Sequence, residues 1–414
     1  MHVFSSVAAV EVFSQSSTKG YCLSNPSRVD RLKLSSNDSV VVLGCGMGGL
    51  AVSSLLAERA PSASITIVEQ KKIFEFPPSF PLLAMGRREP GKVRRVLSIP
   101  KKRKVRLVNS RVISIKTSSK TVRTESEELH YDQLVISMGV DYSPSDVPGL
   151  EKYAHQFYDF DSAMKLRDAL ENLESGRLVI GISRLPIKCP VAPYGLALLL
   201  QDQFARAKKK VAMEFFTPEP HPAPAAGPVI GKQVERLLAA KGIAFRPKVK
   251  LSKVEKEKVV FEGKTELPYD LLIVVPPHKC PSAVVEAGLT DSSGWVPVSP
   301  QTLATRFDKV YAIGDVTAIE TPHAHVPFLP KSGSFALGQA EVVANNIAMS
   351  ITGKGERKIW DGTGSCFLEV NRGESAMLRG EFLSNPPRLE FHPPRRKWQI
   401  EKTKLEEYWM NHRF

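Results

Sequence analysis

Gly44, Gly46 and Gly49 stand in G-x-G-x-x-G spacing, directly after the apolar run Val40-Val41-Val42-Leu43. The chemistry this spacing allows is the binding of a pyrophosphate. Gly44 permits a tight turn out of a strand. Gly46, lacking a Cβ, lets the backbone approach phosphate closely. Gly49 lets the next helix pack tightly. The start of that helix offers free N–H groups and the positive end of its dipole. Residues 51–60 continue as a helix, and residues 64–68 read as a second strand that ends at Glu69. An acid about 20 residues past the last glycine is placed to accept hydrogen bonds from ribose hydroxyls and to repel a 2′-phosphate. A glycine-rich turn that binds no nucleotide is the bland alternative, and the complete unit argues against it.

The second stretch with chemical potential is Lys188-Cys189-Pro190-Val191-Ala192-Pro193-Tyr194, which opens an apolar helix from Gly195 to Phe204. Cys189 falls at or just before a helix start, beside Lys188, a position that favours thiolate over thiol. Cys366 lies near the start of an alternating strand, Gly364-Ser365-Cys366-Phe367-Leu368-Glu369-Val370. Five cysteines scattered over 414 residues are too few for a disulfide scaffold. Without CxxC spacing they do not suggest zinc. Cys22 and Cys280 carry no assigned role. His323 and His325, two apart on a loop, lack a third ligand nearby, so no metal is expected. His221, in a proline-rich loop, reads as an ordinary surface residue.

These residues need elements to hold them. Hydrophobic content of 42% and charged content of 24% are those of a folded globular protein. The pattern is α/β. Residues 39–150 form a first nucleotide-type domain, 151–285 a second, 286–355 a return to the first, and 356–414 a C-terminal region. The first two share an echo, Tyr131-Asp132-Gln133-Leu134-Val135-Ile136 and Tyr269-Asp270-Leu271-Leu272-Ile273. Where a second glycine fingerprint would fall, the chain reads Gly181-Ile182-Ser183-Arg184-Leu185-Pro186. Only one glycine remains, so the second domain is expected to bind no dinucleotide. Residues 1–38, rich in serine and poor in acids, read as a leader or a disordered start. No apolar run is long enough to span a bilayer. The formal net charge of +14 favours anionic surfaces. The tail from Arg395 interleaves Trp398, Leu405, Tyr408, Trp409, Met410 and Phe414 with basic residues. That suits a helix at a membrane interface, or equally a helix docked on its own protein or on a second copy.

From residue 39 onward the chain resembles the sulfide:quinone oxidoreductase and flavocytochrome c sulfide dehydrogenase family, within the flavoproteins built on two dinucleotide-binding domains. The segments that carry the resemblance are VVLGCGMGGL, CPVAPY, PFLPKSGSFALGQAEVVANNI, GSCFLEV and the aromatic, basic tail. It implies two Rossmann-like domains and FAD as cofactor. FAD contacts would fall at Gly44, Gly46, Met47, Gly49, Glu69, Gln70, Val112, Gly139, Gly314, Asp315, Lys331 and Gly333. Glu69 would hold the adenosine ribose and Asp315 a ribityl hydroxyl. Lys331 would face the pyrimidine edge of the flavin. The resemblance also implies a redox disulfide between Cys189 and Cys366.

Two departures qualify it. Many quinone-linked members carry a further cysteine where this chain reads Gln156-Phe157-Tyr158-Asp159-Phe160. A glutamate often follows CPxxPY, where Gly195 stands here. The implied activity is oxidation of sulfide through the cysteine pair, with electrons passed by FAD to a membrane quinone. Three alternatives stay open: the flavin subunit of a cytochrome c-linked sulfide dehydrogenase, a type II NADH dehydrogenase, and a non-catalytic FAD-binding protein. Contact with a membrane surface through the tail is expected, nucleic acid is not, and a homo-oligomer fits the pattern. The expected localisation is peripheral to a membrane, in a compartment the sequence leaves open.

Overall fold

The computed structural model describes residues 38–99, 104–322 and 328–411. The leader-like segment through residue 37, Cys22, the histidine pair at 323 and 325, and Phe414 lie outside the described residues. The elements that build the site are, in chain order, β1 Ser39–Leu43, α1 Met47–Arg59, β2 Ser64–Val68, β3 Val105–Val108, β4 Gln133–Ile136, β5 Ser175–Ile182, α2 Ala192–Ala207, β6 Lys210–Phe216, β7 Ala244–Arg246, β8 Leu271–Val275, β9 Val310–Ala312, α3 Gly333–Thr352, β10 Thr363–Glu369, β11 Ser375–Glu381, β12 Arg388–Arg395 and α4 Arg396–Asn411.

Two parallel sheets carry the molecule. The first has the order β9-β4-β1-β2-β3 and the second β7-β6-β5-β8. Their β-branched runs are apolar on both faces because helices and meanders cover both. Val40, Val42 and Leu43 are fully buried, as are Leu178 and Val179. Each such side chain contributes about 1.5–3 kcal/mol relative to exposure. A three-stranded antiparallel meander precedes one strand of each sheet, residues 112–130 before β4 and 251–268 before β8.

The Tyr-Asp echo has a physical cause. Asp132 accepts a hydrogen bond at 2.8 Å from the Ser39 N–H at the start of β1. Asp270 accepts one at 2.7 Å from the Arg177 N–H in β5. In both domains the aspartate ties the entry of the last strand to the entry of the first. The chain leaves the first domain through Asp141–Tyr142 and returns through His278–Lys279, and these two short strands pair antiparallel, Tyr142 opposite His278. The C-terminal region is an antiparallel sheet, β10-β11-β12, followed by α4.

Candidate active site

The glycine turn divides its tasks between fold and ligand. A Cβ on Gly44, whose φ is +94°, would lie 2.3 Å from the Ser137 carbonyl oxygen. One on Gly49 would lie 1.9 Å from the carbonyl oxygen of Gly44. Gly49 therefore seats α1 on the turn itself. A Cβ on Gly46 or Gly139 would meet no atom at all. Gly46 is exposed, so its open side faces the place a pyrophosphate would take. Glu69 accepts hydrogen bonds from the Cys45 and Lys71 N–H groups, each at 2.9 Å. It thus ties the end of β2 to the turn, with its remaining lone pairs available to a ribose. Gln70 is exposed beside it. Val112 is buried in the core of the first meander.

This division can be measured. Gly49→Ala is expected to cost the fold about 1–3 kcal/mol through overpacking. Gly46→Val is expected to keep the unfolding transition of the apoprotein and to lose bound flavin, read as the flavin-to-protein absorbance ratio.

A second helix start meets the first. A Cβ on Gly333, at the head of α3, would sit 3.0 Å from Sδ of Met47 at the head of α1. Ahead of α3 lies the turn after β9. Gly314 there has a φ of +73°, and its N–H donates to Oε1 of Gln339 at 2.7 Å. Asp315 Oδ1 is buried with no hydrogen-bond partner among the described residues. Burial pushes this carboxyl upward, against the pull of Lys188 and Lys331. An orphaned acceptor at the junction of two helix starts fits a ribityl hydroxyl. Open Gly46 and Gly139, Glu69 and Asp315 together fit FAD, the cofactor of this flavoprotein.

Lys331 lies directly ahead of α3. Its ammonium donates to the carbonyls of Asp315 at 2.6 Å and Thr317 at 3.1 Å, and lies 3.5 Å from the Trp295 ring centroid. Burial lowers its pKa to about 8. These contacts pin the turn that presents Asp315.

The head of α3 also gathers the two cysteines. The Cys189 N–H donates to the Lys331 carbonyl at 2.7 Å. Ser332 Oγ, from the N-cap of α3, lies 3.7 Å from Cys366 Sγ. Ser334 Oγ accepts from the Ser365 N–H at 3.0 Å. Cys189 and Cys366, far apart in sequence, thus hang from one four-residue stretch. Both cysteines are thiols in this structure. Cys189 holds a φ of +49°, which a residue with a Cβ rarely adopts.

The expected thiolate at Cys189 is corrected here. Burial, with Cys366 beside it, pushes the Cys189 thiol up to about 12. The backbone hydrogen bond from Ala192 at the start of α2 acts the other way and is outweighed. Burial raises the Cys366 thiol as well, opposed by the Ser332 hydroxyl.

Sequence reasoning missed the shell around these sulfurs. Tyr142, Tyr158 and His278 form an aromatic cluster under Lys188, with ring centroids 5.0 to 6.2 Å apart. The Tyr142 hydroxyl donates to the Tyr158 carbonyl at 2.9 Å. His278 is held neutral, its pKa drawn down to about 3 by burial. The cluster exists because the two crossing strands put Tyr142 opposite His278, a pairing no local pattern announces. A Cβ on Gly195 would lie 3.6 Å from the backbone of Glu369. A buried carboxylate therefore reaches this layer from β10, in an ion pair with Lys402 of α4.

In the second domain Gly181 lies within β5, and a Cβ on it would lie 2.0 Å from the Phe216 ring, so this glycine serves a packing contact. Glu219, just past the end of β6, is fully buried and accepts hydrogen bonds from the hydroxyls of Tyr194 and Thr217. Burial raises its carboxyl to about 7. The loop from β5 to α2 delivers Cys189.

The tail's aromatic residues pack on the protein itself. Trp409 is buried and stacks on Phe74 at 6.0 Å, and Trp398 and Met410 are also buried. Glu406 holds Ser79 and Arg88. Leu405 and Tyr408 are half-buried against the main core. No described helix is long and apolar enough to cross a membrane. No group of three metal-ligating side chains occurs among the described residues.

Comparison with known proteins agrees with this architecture. The sulfide-quinone reductase of Aquifex aeolicus is 28% identical over 399 residues, covering 90% of each chain. The mitochondrial sulfide:quinone oxidoreductase of Mus musculus is 26% identical over 377 residues, covering 86% of this chain and 80% of that one. The X-ray structure of the sulfide:quinone oxidoreductase from Aquifex aeolicus superposes with a TM-score of 0.83 at 25% identity, covering 90% of each chain. Residues 38–340 match the pyridine nucleotide-disulphide oxidoreductase family. The chain is an oxidoreductase of the pyridine nucleotide-disulphide oxidoreductase family, similar along most of its length to sulfide:quinone oxidoreductases.

Proposed function

We propose that this protein is an FAD-dependent sulfide:quinone oxidoreductase whose working group is a Cys189–Cys366 disulfide. The observation that carries the reading is the convergence of both cysteines on residues 331–334, at the mouth of the turn that presents Asp315. A disulfide is a suitable electrophile for hydrosulfide, since exchange expels a thiolate. In the oxidised enzyme hydrosulfide attacks one sulfur, leaving a persulfide there and a thiolate on the other. FAD, when bound, takes up the electron pair and passes it to the acceptor. The chain's own residues fix the geometry: Lys331 pins the turn, Ser332 holds Cys366, and the loop from β5 brings Cys189 in from the second domain. Both sulfurs are half-buried, which limits the water around them.

The acceptor reading rests on the likeness to the named quinone-linked enzymes. A membrane-bound quinone needs the protein at a bilayer. With the tail's aromatics packed inward, contact would rest on charge: Arg395 at the end of β12 and Arg396, Lys397 and Lys404 along α4 are exposed, with Ile400. The missing glycines after Gly181 and the buried Glu219 disfavour the NADH dehydrogenase alternative.

The test is acceptor choice with purified protein. Sulfide is expected to drive reduction of a ubiquinone analogue faster than that of cytochrome c. NADH is expected not to bleach the flavin at a rate matching sulfide. Faster reduction of cytochrome c would favour the cytochrome-linked alternative. Bleaching by NADH would favour the dehydrogenase.

A further inference from the structure

We propose that the strand pair Ile73–Glu75 and Arg94–Val96 seats the protein on an anionic bilayer, with Ile73 and Val96 inserted among the lipid headgroups. The proposal rests on the membrane contact of the reading above and places its apolar anchor outside the tail. The two strands form a short antiparallel ribbon in which Ile73 pairs with Val96, Phe74 with Arg95 and Glu75 with Arg94. Side chains directly opposite share a face, and successive pairs alternate between faces. The middle pair points inward. Phe74 is buried and stacks on Trp409 at 6.0 Å, and the Arg95 guanidinium donates to the Met410 carbonyl. One face of the ribbon is thus seated on the end of α4.

The outer face is left to Ile73, 39% exposed, and Val96, 72% exposed. A single exposed aliphatic side chain is ordinary. Among the described residues, however, these are the only exposed large apolar side chains that face each other across a strand pair. The ribbon cannot turn the pair inward. A two-stranded ribbon alone is marginal in water, and this one is fixed by its inner face and closed at both ends. The Phe76 N–H donates to the Val93 carbonyl at 2.8 Å, and the Leu97 N–H to the Lys72 carbonyl at 2.9 Å.

The charges on and beside the ribbon select the occupant. Lys71, Lys72, Lys92 and Arg94 are all exposed. Against them stand two carboxylates. Glu75 pairs with Lys71 at 2.8 Å, and Glu89 is exposed just before the short helix Pro90–Val93. Arg94 lies 4.1 Å from the Phe160 ring centroid, which holds its stem along the protein. An apolar pair flanked by cations matches the boundary between acyl chains and anionic headgroups. The helix that anchors the ribbon adds the exposed Arg396, Lys397 and Lys404. Those charges attract the protein to an anionic surface, and the ribbon gives it apolar surface to bury there.

The experiment needs no sulfide, so it stands apart from the proposed reaction. The full-length, FAD-loaded protein is sedimented with vesicles of phosphatidylcholine, alone or mixed with phosphatidylglycerol, at low and high salt. The wild type is expected to bind the phosphatidylglycerol vesicles, more weakly at high salt. Val96→Asp and Ile73→Asp are each expected to lower the partition coefficient about tenfold, and Val96→Phe to raise it about threefold. Flavin content and the urea midpoint should stay those of the wild type, because both sites are exposed. Val229→Asp is the control: Val229 is 74% exposed on the helix Pro228–Ala240 of the second domain, and its loss should not change binding. Binding unmoved by Val96→Asp, or lowered as much by Val229→Asp, overturns the inference and leaves membrane contact to α4. Absence of vesicle binding by the wild type overturns both. A wild-type dimer in lipid-free sedimentation equilibrium that Val96→Asp makes monomeric also overturns it, since the pair would then cover a second copy.

Discussion

Cys189→Ser and Cys366→Ser are each expected to leave FAD bound and to slow sulfide-dependent bleaching of the flavin by about a thousandfold or more. The size follows from the chemistry. Serine keeps the volume and the hydrogen bond to the Lys331 carbonyl, but it cannot form the electrophilic bond that hydrosulfide opens. The FAD contacts at Gly46, Glu69 and Asp315 come from other segments, so the visible spectrum should survive. Cys280→Ser is the control. Cys280 is buried in the core of the first domain, in a cluster that includes neither Cys189 nor Cys366. Its loss should leave the bleaching rate nearly unchanged. Equal losses in all three variants would point to destabilisation and not to a redox pair. The measurement is stopped-flow absorbance of each variant at matched flavin content.

The second large effect concerns the tail. Trp409→Ala is expected to cost about 3–5 kcal/mol of stability, the range for deleting a buried tryptophan. The ring is 1% exposed and stacks on Phe74 of the first domain. Lys402→Ala should be similarly harmful, about 3–5 kcal/mol, because it leaves Glu369 buried without its partner. Urea unfolding of the FAD-loaded protein measures both. Removal of residues 396–414 should therefore damage sulfide-dependent bleaching as well as any membrane contact, since α4 packs on the strand that carries Cys366. An unfolding midpoint unchanged by Trp409→Ala would show that the helix is only loosely held.

What could be read in the sequence was what residue type alone dictates. Gly44 and Gly49 are legible because no other residue clears the carbonyls beside them. The Tyr-Asp echo was visible because each aspartate does a local task at a strand entry. The second nucleotide loop was legible as damaged from its missing glycines, though not that Phe216 fills the space at Gly181. The cysteine pair came from family likeness. No spacing connects residues 189 and 366, and only the head of α3 does so in space. The thiolate expectation failed because adjacency to Lys188 and a helix start says nothing about burial, which dominates. Lys331 was assigned to the flavin edge by family likeness, and its hold on the carbonyls of Asp315 and Thr317 was not legible, because the direction of a long side chain depends on groups elsewhere. The tail's apolar stripe was correct as a pattern. Periodicity gives which face is covered and not what covers it, and here the cover is the protein itself.

The most direct test of the central claim is an anaerobic titration of the purified, FAD-loaded protein with sulfide, followed by the flavin absorbance. The account predicts that the flavin of the wild type bleaches as sulfide is added, stays oxidised in Cys189→Ser and Cys366→Ser, and regains its colour when a quinone analogue is admitted. A flavin that stays oxidised under excess sulfide in the wild type, or one that bleaches equally well without either cysteine, would contradict it.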